Sequence, residues 1–468
     1  MCSCGDDECT TDSTHKTKLE TGRSTEPQGV SRRSMLKGVG LGGIVAAGTI
    51  MGARESLAQP AAPAINNGSV AGLPFRALIR VGTGIEIADM RLIDIKPNQV
   101  VVRTKGSCAC YSIGPTLFGR DGNIQDLDVP MIPNHSAMGV VEAVGSQVRR
   151  VAVGDRVVVS GTPQCGQCYQ CLHGQPDRCN WLGGLPNDPV AELSDGTGVT
   201  EMSGIGGLSE ITVAYEEYCI PVWTDLPDEE IAMMGDTFAA GVSSVMTYAP
   251  VEGGSDVVVF GAGPVGLAAI QGARAKGAGQ IIVVEPIAYR REKATEFGAT
   301  TVLDPNEDTD TLVDRIKEMC SGPSDRFDSG GRRRQGNQWG ADFVIEASGG
   351  DTSVPTVEVG PDPTGLLALR QAYDVTRAGG HLTTLAIFQV GEISLPSSGW
   401  SISGKHHHSG QMGGMHPMRD TPRIIKMIER GVLDCASVIS RTVPLDQAVE
   451  GFQAVANREV LGLVVTFD

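Results

Sequence analysis

The apolar positions of this chain follow two different patterns in its middle part. Between about residues 75 and 231, short apolar runs such as FRALIRV, QVVVRTKG and MGVVEAVG alternate with Gly, Pro and Asp turns. This pattern predicts an antiparallel, barrel-like β domain. From residue 256, an unbroken apolar run is followed by a helical pattern and then by a second apolar run that ends at Val284. This strand–helix–strand order predicts a parallel sheet with buried strands.

Three glycines follow the first of these two runs at GxGxxG spacing. They permit a tight turn, close approach of the backbone to a pyrophosphate and close helix–strand packing, and the following helix offers its first N–H groups to phosphate. The turn residues expected to line the cofactor are Gly261, Gly263, Pro264, Val265 and Gly266. Glu285 follows about 20 residues later, where an acid hydrogen-bonds the adenosine ribose. Its charge would repel a ribose 2′-phosphate and favours NAD over NADP, while Arg290 is a further candidate cofactor contact.

The composition is that of a globular chain with an acidic surface. With 468 residues the chain is long enough for two or three domains, and 41% hydrophobic with 4% aromatic residues suits a Val-, Ala- and Gly-rich α/β protein. The formal net charge of −17 argues against a nucleic-acid partner. We predict no membrane span in the mature chain.

The first 58 residues have the features of an export signal. An SRR motif at residues 31–33 is followed by a weakly apolar, glycine-rich run over 38–53 and by SLA at 56–58, a small-x-small cleavage site. We therefore expect a twin-arginine signal peptide over residues 1–58, a linker over 59–72, and the twin-arginine translocase as a partner. The mature protein would be periplasmic or extracellular. The alternative is a disordered basic tail.

Four cysteines with C-x2-C-x2-C-x7-C spacing lie within the predicted β domain. They are Cys165, Cys168, Cys171 and Cys179. Four thiolates at this spacing suit one tetrahedral Zn²⁺ with no open coordination position. The alternative is a pair of disulfides, which an exported protein could form. Zinc is favoured because the twin-arginine route carries folded proteins, which can load the metal in the reducing cytoplasm.

Because the four-cysteine lobe is followed by GAGPVG, the chain resembles the zinc-dependent alcohol dehydrogenases of the medium-chain dehydrogenase/reductase superfamily, from about Phe75 to Asp468. The resemblance implies an α/β protein with a GroES-like, β-rich catalytic domain and a Rossmann doubly wound parallel sheet. The implied bounds are 73–236 for the catalytic domain, 237–390 for the Rossmann domain and 391–468 for a segment that returns to the catalytic domain. The family also implies a homodimer or homotetramer.

The resemblance further implies a catalytic zinc, held by a cysteine, a histidine and a third ligand just before the nucleotide domain. In this chain the matching residues are Cys108, His135 and Asp236, so that each chain would hold two zinc ions. Cys110 falls where the family usually carries a Ser or Thr that takes the alcohol proton, and a thiol is a weak donor. Ser136 replaces the glutamate that often follows the histidine.

These features together predict hydride transfer between a small alcohol or aldehyde and NAD. A first alternative is an aldehyde dismutase whose nicotinamide cofactor never leaves the protein. A second is a nucleotide-binding homologue without catalysis, suggested by Ser136, by Cys110 and by Gly462-Leu463, where many relatives carry a cation toward the pyrophosphate. A third is a purely structural or metal-carrying secreted protein. We assign no role to the internal run from His406 to His408.

Overall fold

The computed structural model describes residues 69–120, 123–182, 188–307, 309–320, 339–351, 355–388 and 391–468. The predicted export signal and residues 59–68 of the predicted linker lie outside the described residues. Within the described ranges, no helix combines the length and the apolar character needed to cross a bilayer.

Short alternating strands in the N-terminal half close into a small barrel. Its strands, numbered in chain order, are β1 (Pro74–Gly82), β2 (Gly84–Leu92), β4 (Leu127–Ile132), β7 (Ala191–Glu192) and β8 (Gly198–Glu201), joined in the order β1-β2-β7-β8-β4. Leu78 and Ile79 are fully buried in adjacent positions of β1. They belong to different hydrophobic clusters, because successive side chains of a strand point to opposite faces.

A second, mostly antiparallel sheet combines strands from both ends of the described chain. In order, its strands are β10 (Cys219–Pro221), β6 (Arg156–Val159), β5 (Ala137–Val144), β3 (Gln99–Cys108), β18 (Gly462–Thr466) and β17 (Ile439–Pro444), and β9 (Ile211–Tyr215) also pairs with β3. The antiparallel register of β18 with β3 places Val464 opposite Cys108. Strand β3, which leads to Cys108 and Cys110, is therefore flanked by β18, a strand from the far end of the chain.

The third sheet is parallel throughout. Its strands, in order, are β13 (Thr301–Leu303), β12 (Gln280–Val284), β11 (Asp256–Phe260), β14 (Ala341–Glu346), β15 (Thr376–Thr384) and β16 (His406–Ser409). This arrangement confirms the predicted α/β class. Strand β16 follows residue 390, the predicted end of the Rossmann domain, so the sheet extends further along the chain than the prediction allowed.

Helices cover both faces of this parallel sheet. The α-helices of the described residues, including those that lie outside this sheet, are α1 (Gly114–Phe118), α2 (Tyr169–Leu172), α3 (Asp228–Ala232), α4 (Thr237–Ser243), α5 (Pro264–Ala275), α6 (Ala288–Phe297), α7 (Leu312–Met319), α8 (Leu366–Val375), α9 (Ser397–Ile402), α10 (Pro417–Glu429) and α11 (Ala448–Ala456). Val257 and Val259 of β11 pack with α5, while Val258 and Phe260 pack with α7 and α8 on the other face. An unbroken apolar strand is needed because both of its faces are buried.

Candidate active site

Three loops that end or begin regular elements bring a thiol, an imidazole and a carboxylate together. Cys110 follows β3, His135 precedes β5 and Asp236 precedes α4. One ligand atom from each of these three residues lies within 4.8 Å of the other two. The Nδ1 atom of His135 is 4.0 Å from Oδ2 of Asp236. A set of one cysteine, one histidine and one carboxylate is the kind that holds a catalytic zinc with an open position.

Asp236 occupies the N-cap position of α4 but does not cap the helix. Its side chain accepts no hydrogen bond from the first turn, although an aspartate at this position usually does. Its Oδ2 atom is buried and has no hydrogen-bond partner among the described residues. A buried carboxylate oxygen without a donor costs free energy unless a cation compensates it. The carboxylate therefore fits a metal site rather than a structural cap.

The chemistry of Cys110 also fits a cation at this point. Burial, and then the nearby Asp236 carboxylate, raise the pKa of the Cys110 thiol well above its usual range. Without a positive charge this side chain would stay protonated beside Asp236, whereas a metal ion holds a coordinating thiol as thiolate. The hydroxyl of Ser112 donates a hydrogen bond to Cys110 Sγ over 3.1 Å and lies 3.3 Å from Nε2 of His135.

Cys108, predicted as the thiolate ligand, is not brought into this set. It is the last residue of β3 and is fully buried, with its Sγ 3.2 Å from Oγ1 of Thr237. Burial raises the pKa of the Cys108 thiol to about 12, as it also raises that of Cys110, so the choice between the two rests on their positions. The prediction placed the thiolate ligand at residue 108 and the expected hydroxyl at residue 110. The structure shifts this register by two residues, so that Cys110 is the candidate ligand and Ser112 carries the hydroxyl.

A buried polar network fixes the two loops that carry Cys110 and His135. Asn134 is fully buried and has a backbone φ of 75°, a left-handed conformation that few residues other than glycine tolerate. Its Nδ2 donates to Ser107 Oγ at 2.7 Å and to the Cys108 carbonyl at 2.9 Å. Ser136 Oγ donates to the same carbonyl over 3.3 Å. These bonds hold the histidine loop against the end of β3, just before Cys110.

The four cysteines of the predicted structural site converge in a separate lobe. All four are free thiols, and their sulfur atoms lie within 4.8 Å of one another. Sγ of Cys165 is 3.9 Å from that of Cys171, and the same distance separates Cys168 from Cys179. Zinc with Zn–S bonds of about 2.3 Å in tetrahedral geometry separates its sulfur ligands by about 3.8 Å, whereas a disulfide bond is about 2.05 Å long. The lobe fits a zinc ion and not the disulfide alternative.

The glycine-rich turn between β11 and α5 has the close packing that its sequence predicts. Gly261 has a φ of 89°. A Cβ atom built on Gly266 would lie only 2.0 Å from the Gly261 carbonyl oxygen, so only glycine permits this helix–turn contact. Pro264 stands in the first turn of α5, where its missing N–H is no loss. The helix therefore begins directly behind the turn, and Gly263, Pro264 and Val265 at its start line a cleft.

Glu285 directly follows β12 and lines the same cleft. Its carboxylate accepts hydrogen bonds from the backbone N–H groups of Ala262, at 2.6 Å, and Ile287, at 2.9 Å. The guanidinium of Arg290 lies near Gly263. Arg291 is instead engaged by Asp304, at 2.9 Å, and by backbone carbonyls. The acid is thus held in place beside the glycine turn, and one of the two arginines after it is directed elsewhere.

One cleft of about 1200 Å³, including its open mouth, joins these parts. Its lining extends from Glu285 and the glycine turn to Ala109, Cys110 and Tyr111. Arg458 also lines it, and no local sequence pattern marked this residue. Because this cleft is continuous, it would allow a dinucleotide at the glycine turn to reach the edge of the metal-ligand set.

Comparisons with known proteins agree with this architecture. Residues 96–227 match the alcohol dehydrogenase GroES-like domain, and residues 264–359 match the zinc-binding dehydrogenase family. Alcohol dehydrogenase class-3 from Cereibacter sphaeroides is 27% identical over 397 residues, which cover 83% of this chain and 98% of that protein. Geraniol dehydrogenase from Castellaniella defragrans is 35% identical over 253 residues, 52% of this chain and 66% of that protein.

A solved structure shows the same fold. The crystal structure of benzyl alcohol dehydrogenase from Acinetobacter calcoaceticus superposes with a TM-score of 0.69 at 21% identity and covers 84% of this chain and 99% of that chain. The fold and the two clusters of possible metal ligands are those expected of a zinc-dependent oxidoreductase. Together with the family matches, they support the assignment of this chain to the zinc-dependent alcohol dehydrogenases of the medium-chain dehydrogenase/reductase superfamily.

Proposed function

We propose that this protein transfers hydride between a small alcohol or aldehyde and NAD at a zinc ion held by Cys110, His135 and Asp236. The observation that carries the proposal is the continuous cleft between the glycine turn and the Cys110 loop. The names of the relatives, which include an alcohol dehydrogenase and a geraniol dehydrogenase, support an alcohol as substrate.

When bound, zinc would supply Lewis acidity at the substrate oxygen and NAD would supply the hydride acceptor. The protein's own part is to provide charge and to hold a proton. A Cys110 thiolate and the Asp236 carboxylate together carry two negative charges, which match a divalent cation, while His135 binds as a neutral imidazole. Ser112 Oγ, at the edge of this set, is positioned to accept a hydrogen bond from the hydroxyl of a substrate alcohol and so to orient the proton that the alcohol loses.

The cofactor preference rests on Glu285 and on the orientation of Arg291. A buried carboxylate at the ribose end of the cleft disfavours a 2′-phosphate. Because Arg291 is paired with Asp304, it is not directed toward such a phosphate. We therefore propose NAD as the preferred cofactor.

The alternative of a homologue without catalysis has less support than the sequence suggested. Its motivation included a thiol in place of the relay hydroxyl, and the corrected register puts Ser112 in that place.

We also propose that the export signal over residues 1–58 directs the protein through the twin-arginine route, with the SRR motif and the SLA site as its support.

The proposed function is tested with purified mature protein, a panel of primary alcohols and aldehydes, and both nicotinamide cofactors. We expect NAD-linked turnover that is lost in Asp236→Asn and kept in Asp446→Asn, a matched change at an exposed acid. Metal analysis accompanies each assay. Protein that carries two zinc ions and binds nucleotide but turns over no alcohol or aldehyde would show a homologue without this activity.

A further inference from the structure

Arg458 stands in the turn between α11 and β18 and forms a nearly buried ion pair with Asp351. The side chains of Arg458 and Asp351 are only 13% and 12% exposed. Both residues line the nucleotide cleft. The backbone of Arg458 has a φ of 61°, in the left-handed region that a residue with a long side chain rarely adopts. The surrounding structure therefore holds this arginine in an unfavourable backbone conformation.

The ion pair joins the two sides of the cleft. Asp351 follows β14 of the parallel sheet, and its N–H donates to the carbonyl of Pro363 over 2.6 Å. Arg458 precedes β18, which belongs to the sheet of β3. Its guanidinium lies 5.4 Å from the ring centroid of Tyr111, the residue after Cys110. The pair thus connects the nucleotide-binding sheet to the element that carries the metal ligands.

Three further hydrogen bonds bridge the cleft beside this pair. The Tyr289 hydroxyl donates to the Arg458 carbonyl at 2.7 Å, and Arg290 donates to the Val460 carbonyl at 3.4 Å. The hydroxyl of Thr356 donates to the Glu459 carboxylate over 2.8 Å. The segment from residue 458 to 460 is therefore attached at several points to the nucleotide-binding side.

Burial raises the free energy needed to separate the two charges of this ion pair. Desolvation raises the pKa of Asp351, although the Arg458 guanidinium opposes this shift. A charge left in such a site without its partner is strongly unfavourable, which makes a nearly buried pair harder to open than an exposed one. An exposed pair in the same part of the chain, Arg441 with Glu450, offers a direct comparison because its acid is 69% exposed.

We propose that the Arg458–Asp351 pair is a clasp across the nucleotide cleft that slows the release of bound cofactor. This inference rests on the proposed function, since it concerns the same cofactor. Differences in affinity between related complexes lie mostly in dissociation rates, so a closed clasp acts chiefly on release. It also compensates for Gly462-Leu463, which lacks the cation that many relatives direct at the pyrophosphate. A retained cofactor would suit an exported enzyme, which has no cellular NAD pool to draw on.

The test compares Asp351→Asn, Arg458→Gln, the double variant and the control Arg441→Gln. Each protein is loaded with NADH, and the loss of bound-NADH fluorescence is followed after mixing with excess NAD. We expect each clasp variant to release NADH at least tenfold faster than the parent protein and the control. The double variant should release it no faster than the single ones, because all three lose the same interaction. Equal rates in all proteins, or additive effects, would overturn the clasp.

A second measurement needs no nucleotide. Hydrogen–deuterium exchange of the cofactor-free proteins should be faster at residues 457–461 in Asp351→Asn than in the parent protein or in Arg441→Gln. A protein that binds neither NAD nor NADP would contradict the proposed function and the effect on cofactor release with it, even if this difference shows that the ion pair joins the two sides of the cleft. Bound NADH with unchanged release would refute the clasp and leave the function intact.

Discussion

Replacing Cys110 and Cys108 in turn by alanine distinguishes the two candidate thiolate ligands. Cys110→Ala removes one of the three candidate ligands of the proposed catalytic zinc. Changes in the outer partners of metal ligands already cost about 10- to 100-fold in metal affinity or activity. Loss of a ligand should therefore cost more than 100-fold in turnover and leave the catalytic zinc weakly bound. The fold should be preserved, because Cys110 stands outside β3.

Cys108→Ala should act on stability and not on the metal. The substitution removes one buried sulfur atom, about the volume of one or two methylene groups, and its contact with Thr237. At about 0.8 kcal/mol per buried methylene, plus a cavity term, the free energy of unfolding should fall by about 1–2 kcal/mol. Turnover at a temperature well below the unfolding transition should stay within a few-fold of the parent.

Metal analysis, cobalt substitution and urea unfolding measure the two effects separately. The parent and Cys108→Ala should each hold two metal ions, and Cys110→Ala only the one in the four-cysteine lobe. The charge-transfer absorption of cobalt at the catalytic site should disappear with Cys110 and persist without Cys108. If Cys108→Ala loses the second metal and Cys110→Ala keeps it, the corrected register is wrong.

Four further outcomes are expected. Asn134→Gly keeps the left-handed backbone but loses two hydrogen bonds donated by the side-chain amide. The catalytic zinc should therefore be held about 10- to 100-fold more weakly, while the zinc of the four-cysteine lobe is unchanged. Equal zinc retention in competition with a chelator would contradict this. Cys165→Ser should lower soluble yield and the unfolding temperature, because a closed zinc site contributes directly to folding; a variant as stable as the parent would argue against a structural zinc. Glu285→Gln should raise the ratio of kcat/KM with NADP to that with NAD about fivefold or more, since it removes a repulsion of about 1–4 kcal/mol, and an unchanged ratio would dismiss the acid as a selector. Joint replacement of Arg32 and Arg33 by Lys should leave full-length precursor in the cytoplasm. N-terminal sequencing of the exported parent protein should begin at or near Gln59. A parent protein that retains residues 1–58 would refute the proposed export signal.

Features that depend on local spacing could be predicted from the sequence. The strand–turn–helix unit from β11 to α5 and the four-cysteine lobe are each encoded within about 30 residues, so their spacing alone specifies the geometry. The parallel sheet followed from its unbroken apolar strands. Its last strand, β16, could not be predicted in this way, because His406 to His408 have none of the apolar character of a buried strand and lie at an exposed sheet edge.

The features that were missed depend on register or on distant parts of the chain. Both Cys108 and Cys110 are plausible ligands in sequence, and the choice depends on where β3 ends. The signal that could have decided it was the hydroxyl of Ser112, two residues after Cys110. Arg458 and Asp351 are separated by a long stretch of sequence and share no motif, so only the fold brings them together. Asn134 was passed over because its role lies in a backbone conformation and two bonds to the end of β3.

The pairing of β18 with β3 has a consequence for biosynthesis. The strand that presents Cys110 receives this neighbour only after the whole parallel sheet has been translated, because β18 comes after β16 in the chain. At about 5–20 residues per second, a ribosome needs tens of seconds to cover that interval. A nascent chain would therefore expose an unfinished sheet edge and an incomplete ligand loop during this time. Insertion of the catalytic metal would then be one of the last events of maturation, whereas the four-cysteine lobe can acquire its ion while the ribosome is still translating the nucleotide-binding half.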